Sequence, residues 1–151
     1  MSANIEGLVE TSTNIGIVSL SEDEFFASSG VRSSVEAARN ALSDKIQYLT
    51  EFLGGEYEIQ GAYPAWEYRK ESPLRDKMVE VYETMYGQKP EVVAIHAGLE
   101  CGLFYKKIDG LDCVSLGPDM KDIHTSEEVL DIASTERVWK YLVKVLEELK
   151  D

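Results

Sequence analysis

The feature that most constrains the fold is a short apolar run, residues 91–95, which passes directly into a glycine-rich stretch, residues 96–104. The apolar run predicts a buried strand, and the glycines predict a turn in which backbone can lie close to a ligand. In α/β folds, ligands bind at the carboxyl ends of such strands. The stretch 96–104 is therefore a candidate binding edge.

The first 62 residues predict one small α+β unit. Two runs rich in β-branched residues, 8–20 and 25–32, predict a hairpin, with Gly16 and Gly30 marking bulges or close backbone approaches. Ser33 or Ser34 can then cap a helix that Gly54-Gly55 ends. Residues 56–62 predict a third strand, so the order is strand, strand, helix, strand.

The second half alternates helices and strands. Ser72-Pro73 begins a predicted helix that Gly87 ends. The strand at 91–95, a short helix after the glycine turn, a strand at 111–116 and a final helix from about Ser134 follow. Such alternation predicts parallel strands with right-handed crossovers and an α/β (α+β) fold. The aromatic, proline-containing segment 63–68 predicts a junction between two domains, 1–62 and 63–151.

Composition argues against two classes of partner. The 151 residues carry a formal net charge of −13, and nucleic acids and anionic membrane surfaces both require a basic footprint. No apolar run approaches the ~20 residues of a membrane span, and no apolar signal core opens the chain. We therefore expect a cytoplasmic protein that binds neither nucleic acid nor membrane.

The residues alone leave the chemistry open. Cys113 lies in a predicted strand and suits a core position, while Cys101 has no histidine at a recognisable spacing to act as its base. His124 lies in a polar loop, where it could be an exposed side chain or a metal ligand. His96 suits a structural imidazole beside a strand. Two histidines do not readily complete a closed structural zinc site, although carboxylates could complete a looser one.

Several segments have a specific amino-acid sequence as well as a periodicity. They are 9–16, 31–34, 61–66, 96–104, and Gly117-Pro118 with His124 and Ser126. In the identity and order of these segments, the chain resembles aminoacyl-histidine dipeptidases, the Xaa-His or carnosine-type members of the dinuclear-zinc aminoacylase and carboxypeptidase superfamily. The resemblance implies half of a small lid or dimerisation domain (1–62) joined to the C-terminal part of a zinc-peptidase catalytic domain (63–151).

The resemblance also implies roles for individual residues. His124 matches the last metal ligand of the family, and Arg32 matches a lid arginine that binds the terminal carboxylate of the substrate. Asn14 falls where the lid contacts substrate. Glu100, with Gly98 beside it, is expected to contact the free amino group or the histidyl portion of a dipeptide. His96 could assist, or could remain purely structural.

Parts of the family's machinery have no counterpart in the chain. The remaining zinc ligands and the general-base glutamate are missing, and Glu127-Glu128 does not stand for the family's Glu-Glu pair. We therefore expect part of a zinc-dependent metallopeptidase that hydrolyses Xaa-His dipeptides with two zinc ions, while the isolated chain is inactive and does not hold zinc by itself. The alternative is a free-standing, non-catalytic binding or dimerisation module. In either case a homodimer is expected.

Overall fold

The computed structural model describes residues 1–2, 5–95 and 99–150, which form four helices and four strands. These elements belong to two compact units, Met1–Lys70 with Val93–Leu111, and Glu71–Val92 with Asp112–Asp151. The mixture of helices and small sheets confirms the α+β class. In chain order the elements are β1 (Thr11–Leu20), β2 (Phe25–Ser33), α1 (Glu36–Phe52), α2 (Pro73–Tyr86), α3 (Glu100–Lys107), β3 (Met120–Lys121), β4 (Val129–Leu130) and α4 (Ile132–Glu148).

The first unit opens with the predicted hairpin of β1 and β2. Its register shifts between Ile15 and Ile17, so Gly16 is the extra residue of a β-bulge. The same prediction for Gly30 is wrong, because Gly30 pairs with Asn14 in regular register and a Cβ there would meet nothing within 4 Å. Because side chains alternate between the faces of a strand, the bulge brings Ile15 and Val18 to the same face. Leu20 and Phe25 lie on that face as well, and these four side chains are all exposed. We call this set the apolar hairpin face.

Helix α1 begins differently from the prediction and ends as predicted. Its N-cap residue is Val35, which makes no side-chain capping bond, whereas a serine cap was expected. Ser33 Oγ instead accepts a hydrogen bond from the Val35 amide at 3.0 Å and lies 2.9 Å from Thr11 Oγ1. The serine thus joins the hairpin to the helix. At the other end, Gly54 adopts a φ of +83°, a conformation that favours glycine.

Helix α2 begins and ends as its sequence predicts. Ser72 Oγ accepts a hydrogen bond from the Arg75 amide at 3.1 Å, and Pro73 occupies the first helical position. Gly87 ends the helix in the left-handed conformation, with a φ of +71°. The local sequence was sufficient here because each signal acts within one turn of the helix.

The buried hydrophobic core of the described residues lies in the second unit, between α2 and α4. Met78 and Val81 of α2 pack with Tyr141 and Val145 of α4. The Tyr141 hydroxyl donates to the Met78 carbonyl at 2.7 Å, and the Tyr82 ring meets Tyr141 edge-on at 5.3 Å between centroids. Burial of apolar area and a satisfied phenol therefore both hold the two helices together.

Helix α4 starts two residues before the predicted Ser134. Asp131 is the N-cap residue, and its carboxylate accepts the Ser134 amide hydrogen bond at 2.7 Å. Helices α1 and α4 each contain 17 residues and carry charged faces. Within the described ranges, no helix combines the length and apolar character needed to cross a bilayer.

The predicted strands at 56–62, 91–95 and 111–116 are not formed. A strand requires a neighbour for its backbone hydrogen bonds, and no strand of the described part pairs with these segments. Side-chain contacts hold two of them instead: Tyr57 Oη lies 2.7 Å from Ser43 Oγ of α1, and Ser72 Oγ donates to the Asp112 carboxylate at 2.7 Å. The predicted parallel pairing is also wrong, since both sheets of the described part are antiparallel.

The assignment of residues 1–62 to a lid and 63–151 to a catalytic domain stays a prediction. The two compact units follow contacts within this chain, and compactness alone does not identify the domains of a family.

Candidate functional site

The hairpin brings two of the predicted substrate-binding residues together. Arg32 of β2 pairs with Ser12 of β1, and Asn14 pairs with Gly30. Asn14 and Arg32 are therefore diagonal neighbours on one face of the sheet, with side chains roughly 7–8 Å apart at their bases. This face is opposite to the apolar hairpin face.

The surface around Asn14 and Arg32 is open. Both residues are exposed, and Arg32 forms no ion pair with the described residues. A Cβ atom placed on Gly30 would meet nothing within 4 Å, so there is room beside Asn14. A guanidinium with five donors and a nearby amide could together receive a carboxylate.

Glu100 is the first residue of α3. Its N-cap residue, Leu99, supplies no side-chain capping bond. A carboxylate at this position is favoured by the positive end of the helix dipole, and Lys106 and Lys107 in the last turn match the negative end. Glu100 itself is exposed and belongs to the same compact unit as Asn14 and Arg32.

Two contacts hold helix α3 in place: a close backbone approach at Gly102 and an ion pair made by Lys106. A Cβ atom on Gly102 would lie 2.8 Å from the Pro64 carbonyl oxygen, so the helix backbone approaches this segment as closely as glycine allows. Lys106 Nζ lies 3.1 Å from Glu36 Oε1 of α1. The Arg39 guanidinium donates to the Tyr63 carbonyl and so ties α1 to the same segment.

His124 lies in the seven-residue connection, residues 122–128, between β3 and β4. Its backbone amide donates to the Glu128 carboxylate at 2.8 Å. Thr125 organises the rest of the loop: its hydroxyl donates to the Asp122 carbonyl at 2.7 Å and accepts from the Glu127 amide at 3.2 Å. The loop therefore holds the backbone of His124 while leaving the residue exposed.

The backbone of this loop adopts an unusual conformation. Within the described part, Asp122 (φ +52°) and His124 (φ +68°) are the non-glycine residues with positive φ. Such conformations cost free energy for residues with a Cβ atom and occur disproportionately at functional sites. Two of them within three positions single out this loop.

The base of the loop is anchored to α4. The Asp119 amide donates to Ser134 Oγ at 2.8 Å, and the Asp131 amide donates to the Asp119 carbonyl at 2.9 Å. Arg137 adds an ion pair with Asp119 at 3.0 Å. Ser134 is 2% exposed, so its hydroxyl is shielded from water, whereas the ion pair of Arg137 with Asp119 is exposed.

The remaining predicted site residues fall elsewhere. Gly98 and His96 lie outside the described residues. His124 belongs to the second compact unit, whereas Asn14, Arg32 and Glu100 belong to the first. Among residues 1–2, 5–95 and 99–150, no group of three or more His, Cys, Asp or Glu side chains could hold a metal ion.

Sequence reasoning missed the residues that shape the His124 loop, namely Thr125, Glu128, Asp119 and Ser134. Threonine and aspartate near a polar loop are too common to predict particular partners. The spacing of three residues between Asp122 and Thr125, and of four between His124 and Glu128, is typical of side chains that bond to the backbone of a turn. That spacing was the available signal.

No protein-family model matches the chain. The chain is 33% identical over 144 residues to the cytosol non-specific dipeptidase of Escherichia coli (strain K12), a match that covers 95% of this chain and 30% of that protein. It also matches the crystal structure of the aminoacylhistidine dipeptidase from Vibrio alginolyticus with a TM-score of 0.83 and 35% identity, over 100% of this chain and 31% of that one.

The chain therefore spans about a third of the length of these relatives. The two dipeptidases match nearly the whole chain in sequence and the whole chain in structure. The chain is homologous to the matched 30% of the cytosol non-specific dipeptidase. Its resemblance to aminoacyl-histidine dipeptidases is confirmed.

Proposed function

We propose that the chain is the C-terminal portion of a zinc-dependent aminoacyl-histidine dipeptidase. The observation that carries the proposal is its likeness, over nearly all of its length, to two dipeptidases. The strained loop that carries His124 supports a functional role for that residue. In this proposal His124 contributes one imidazole ligand to a zinc ion.

The described residues of the chain do not by themselves provide enough ligands for a zinc ion. A catalytic zinc requires about three protein ligands, and the described part contains no such group. We therefore propose that the isolated chain neither retains zinc nor hydrolyses dipeptides, and that further ligands come from the part of the relatives that this chain does not match.

On the hairpin, Arg32 binds the terminal carboxylate of the dipeptide, and Asn14 beside it donates an amide hydrogen bond. Their shared face and the room at Gly30 support this assignment. Glu100 receives the free amino group or the histidyl portion, which an exposed carboxylate suits.

The experiment is a chimera in which this chain replaces the matched 144-residue segment of the E. coli enzyme. We expect the purified chimera to hydrolyse β-alanyl-histidine in a zinc-dependent reaction. Arg32→Ala should raise KM with a smaller change in kcat, and Arg32→Lys should give an intermediate KM because it keeps the charge and loses the planar fork. A folded chimera without activity would contradict the proposal, as would hydrolysis by the isolated chain.

A dimerisation role is the second candidate, and the apolar hairpin face favours it. Leu20 is 77% and Phe25 67% exposed on a hairpin whose outer edges pair with no strand of the described part. We propose that two copies associate through this face. Val18→Lys should then shift the molecular mass in solution from dimer to monomer, while Ser19→Lys, on the opposite face, should not. A monomeric native chain would contradict the dimer.

We further propose that the protein acts in the cytoplasm and binds neither nucleic acid nor membrane. The net charge of −13 supports the absence of nucleic-acid and membrane binding, and the similarity to a cytosol non-specific dipeptidase supports the location. Retention of the purified chain by duplex DNA or by anionic vesicles would contradict it.

A further inference from the structure

Helix α4 carries two apolar stripes, and the core uses one of them. Tyr141 and Val145 form the buried stripe against α2. Trp139, Val143 and Leu146 repeat at helical spacing and form the other, roughly 150° further around the helix at 3.6 residues per turn. We call these three residues the second α4 stripe.

The second α4 stripe is open to solvent. Trp139 is 65%, Leu146 55% and Val143 37% exposed. Trp139 and Val143 also line a shallow groove with Met85 of α2, bordered by Lys140, Lys144 and Glu147. An exposed tryptophan in an apolar row beside a groove is uncommon on the surface of a protein that acts alone.

The remaining arc of α4 is polar and solvent-exposed, in contrast to the second α4 stripe. It carries ion pairs one turn apart, Lys140 with Glu136 at 2.6 Å and Lys144 with Glu148 at 2.8 Å. A surface helix usually has one apolar stripe of about 100° and a polar remainder. The apolar arc of α4 is about twice as wide, as expected for a helix that packs on two sides.

We propose that the second α4 stripe is the docking surface for the part of an aminoacyl-histidine dipeptidase that this chain does not match, an inference that rests on the proposed function. The length of the relatives supports this choice of partner. The chain matches 30% and 31% of their lengths, and about 70% of each relative is therefore available to pack against this helix. The partner surface is apolar, with room for an indole, and acidic or basic groups at its edge meet Lys140, Lys144 and Glu147.

The test is association between separate chains. This chain, tagged, is co-expressed with the E. coli enzyme from which the matched 144-residue segment has been deleted. We expect the two to co-purify and Trp139→Glu to lower their association at least tenfold. Leu146→Lys should act in the same direction. Ala133→Glu, which adds a charge to the exposed polar arc of the same helix, should leave association unchanged.

Circular dichroism of each variant alone establishes that the chain is folded before its binding is compared. The proposal is overturned if the native pair does not co-purify, if folded Trp139→Glu and Leu146→Lys variants bind as tightly as the native chain, or if this stripe instead joins two copies of the chain into a dimer. Co-purification measures association and does not depend on catalysis. A stable but inactive complex would therefore support this docking surface and contradict the proposed catalytic function.

Discussion

The backbone of Gly102 lies so close to the carbonyl of Pro64 that a methyl group would come within 2.8 Å of the oxygen. The same Cβ would lie 3.4 Å from the Ala65 carbonyl oxygen, so it would meet backbone on both sides. This contact fixes the distance between α3 and segment 64–66, and with it the position of Glu100 two residues earlier.

Moving a rigid backbone to admit a methyl group costs about 1–3 kcal/mol, and alanine returns up to about 1 kcal/mol of helix propensity. Because the methyl group of Gly102→Ala would meet two backbone carbonyl oxygens, we expect the upper part of that cost and a net destabilisation of about 1–2 kcal/mol. Chemical denaturation measures the difference. Gly117→Ala is the matched control, since a Cβ there meets nothing within 4 Å and its change should stay within about 0.5 kcal/mol. Equal stability of the two variants would show that α3 is free to shift.

Several turns and helix ends were predictable from the sequence because each depends on a few neighbouring residues, whereas the starts of α1 and α4 were not placed correctly. Ser72 with Pro73, Gly87 and the bulge at Gly16 all occur where their local chemistry placed them. The predicted strand at 91–95 does not form. Its β-branched residues favour a strand only when a neighbouring strand completes the backbone hydrogen bonds. The described part of the chain supplies no such neighbour.

The candidate site likewise contains one part that the sequence predicted and another part that it did not. The diagonal placement of Asn14 and Arg32 on one face follows from a hairpin that the sequence predicted. The positive φ of His124 and the hydrogen bonds of Thr125 and Glu128 could not be predicted in this way, because they depend on the conformation of the whole loop 122–128. The role of each residue came from a resemblance to a family and not from periodicity.

The hydroxyl of Tyr141 should contribute measurably to stability. Tyr141→Phe leaves the ring in place and removes the hydrogen bond to the Met78 carbonyl, so we expect a loss of about 1–2 kcal/mol in the free energy of unfolding. Tyr48→Phe, at a side chain that is 69% exposed, serves as the control and should change stability by less than about 0.5 kcal/mol. A neutral Tyr141→Phe would mean that water replaces the bond at no cost.

The same residue predicts a loss of stability at alkaline pH. Burial raises the pKa of the Tyr141 phenol above its ordinary value of 10.0, and the nearby Tyr82 and Tyr86 add to the effect. The unfolded chain therefore releases this proton first as the pH rises. The contribution is complete below pH 10.0 and is lost as the pH passes through the folded-state pKa. Urea denaturation at several pH values should show a steeper alkaline decline for the native chain than for Tyr141→Phe; parallel curves would contradict this.

The left-handed conformation of His124 predicts an unusual order among its variants. With a φ of +68°, alanine at this position keeps the strain while glycine relieves it. His124→Gly should therefore be more stable than His124→Ala by about 1 kcal/mol in denaturant unfolding. If the alanine variant is as stable as the glycine variant, the loop does not hold this conformation in solution.

The most direct test of the account is the zinc content of the chimera with the E. coli enzyme, compared between native His124 and His124→Ala. Lys121→Ala, an exposed neighbour at the edge of the same loop, is the matched control. If His124 is a metal ligand, His124→Ala should lower bound zinc by about one equivalent after dialysis and sharply reduce hydrolysis, while Lys121→Ala leaves both unchanged. Unchanged zinc content in a folded His124→Ala chimera would remove His124 from the metal site and contradict the central claim.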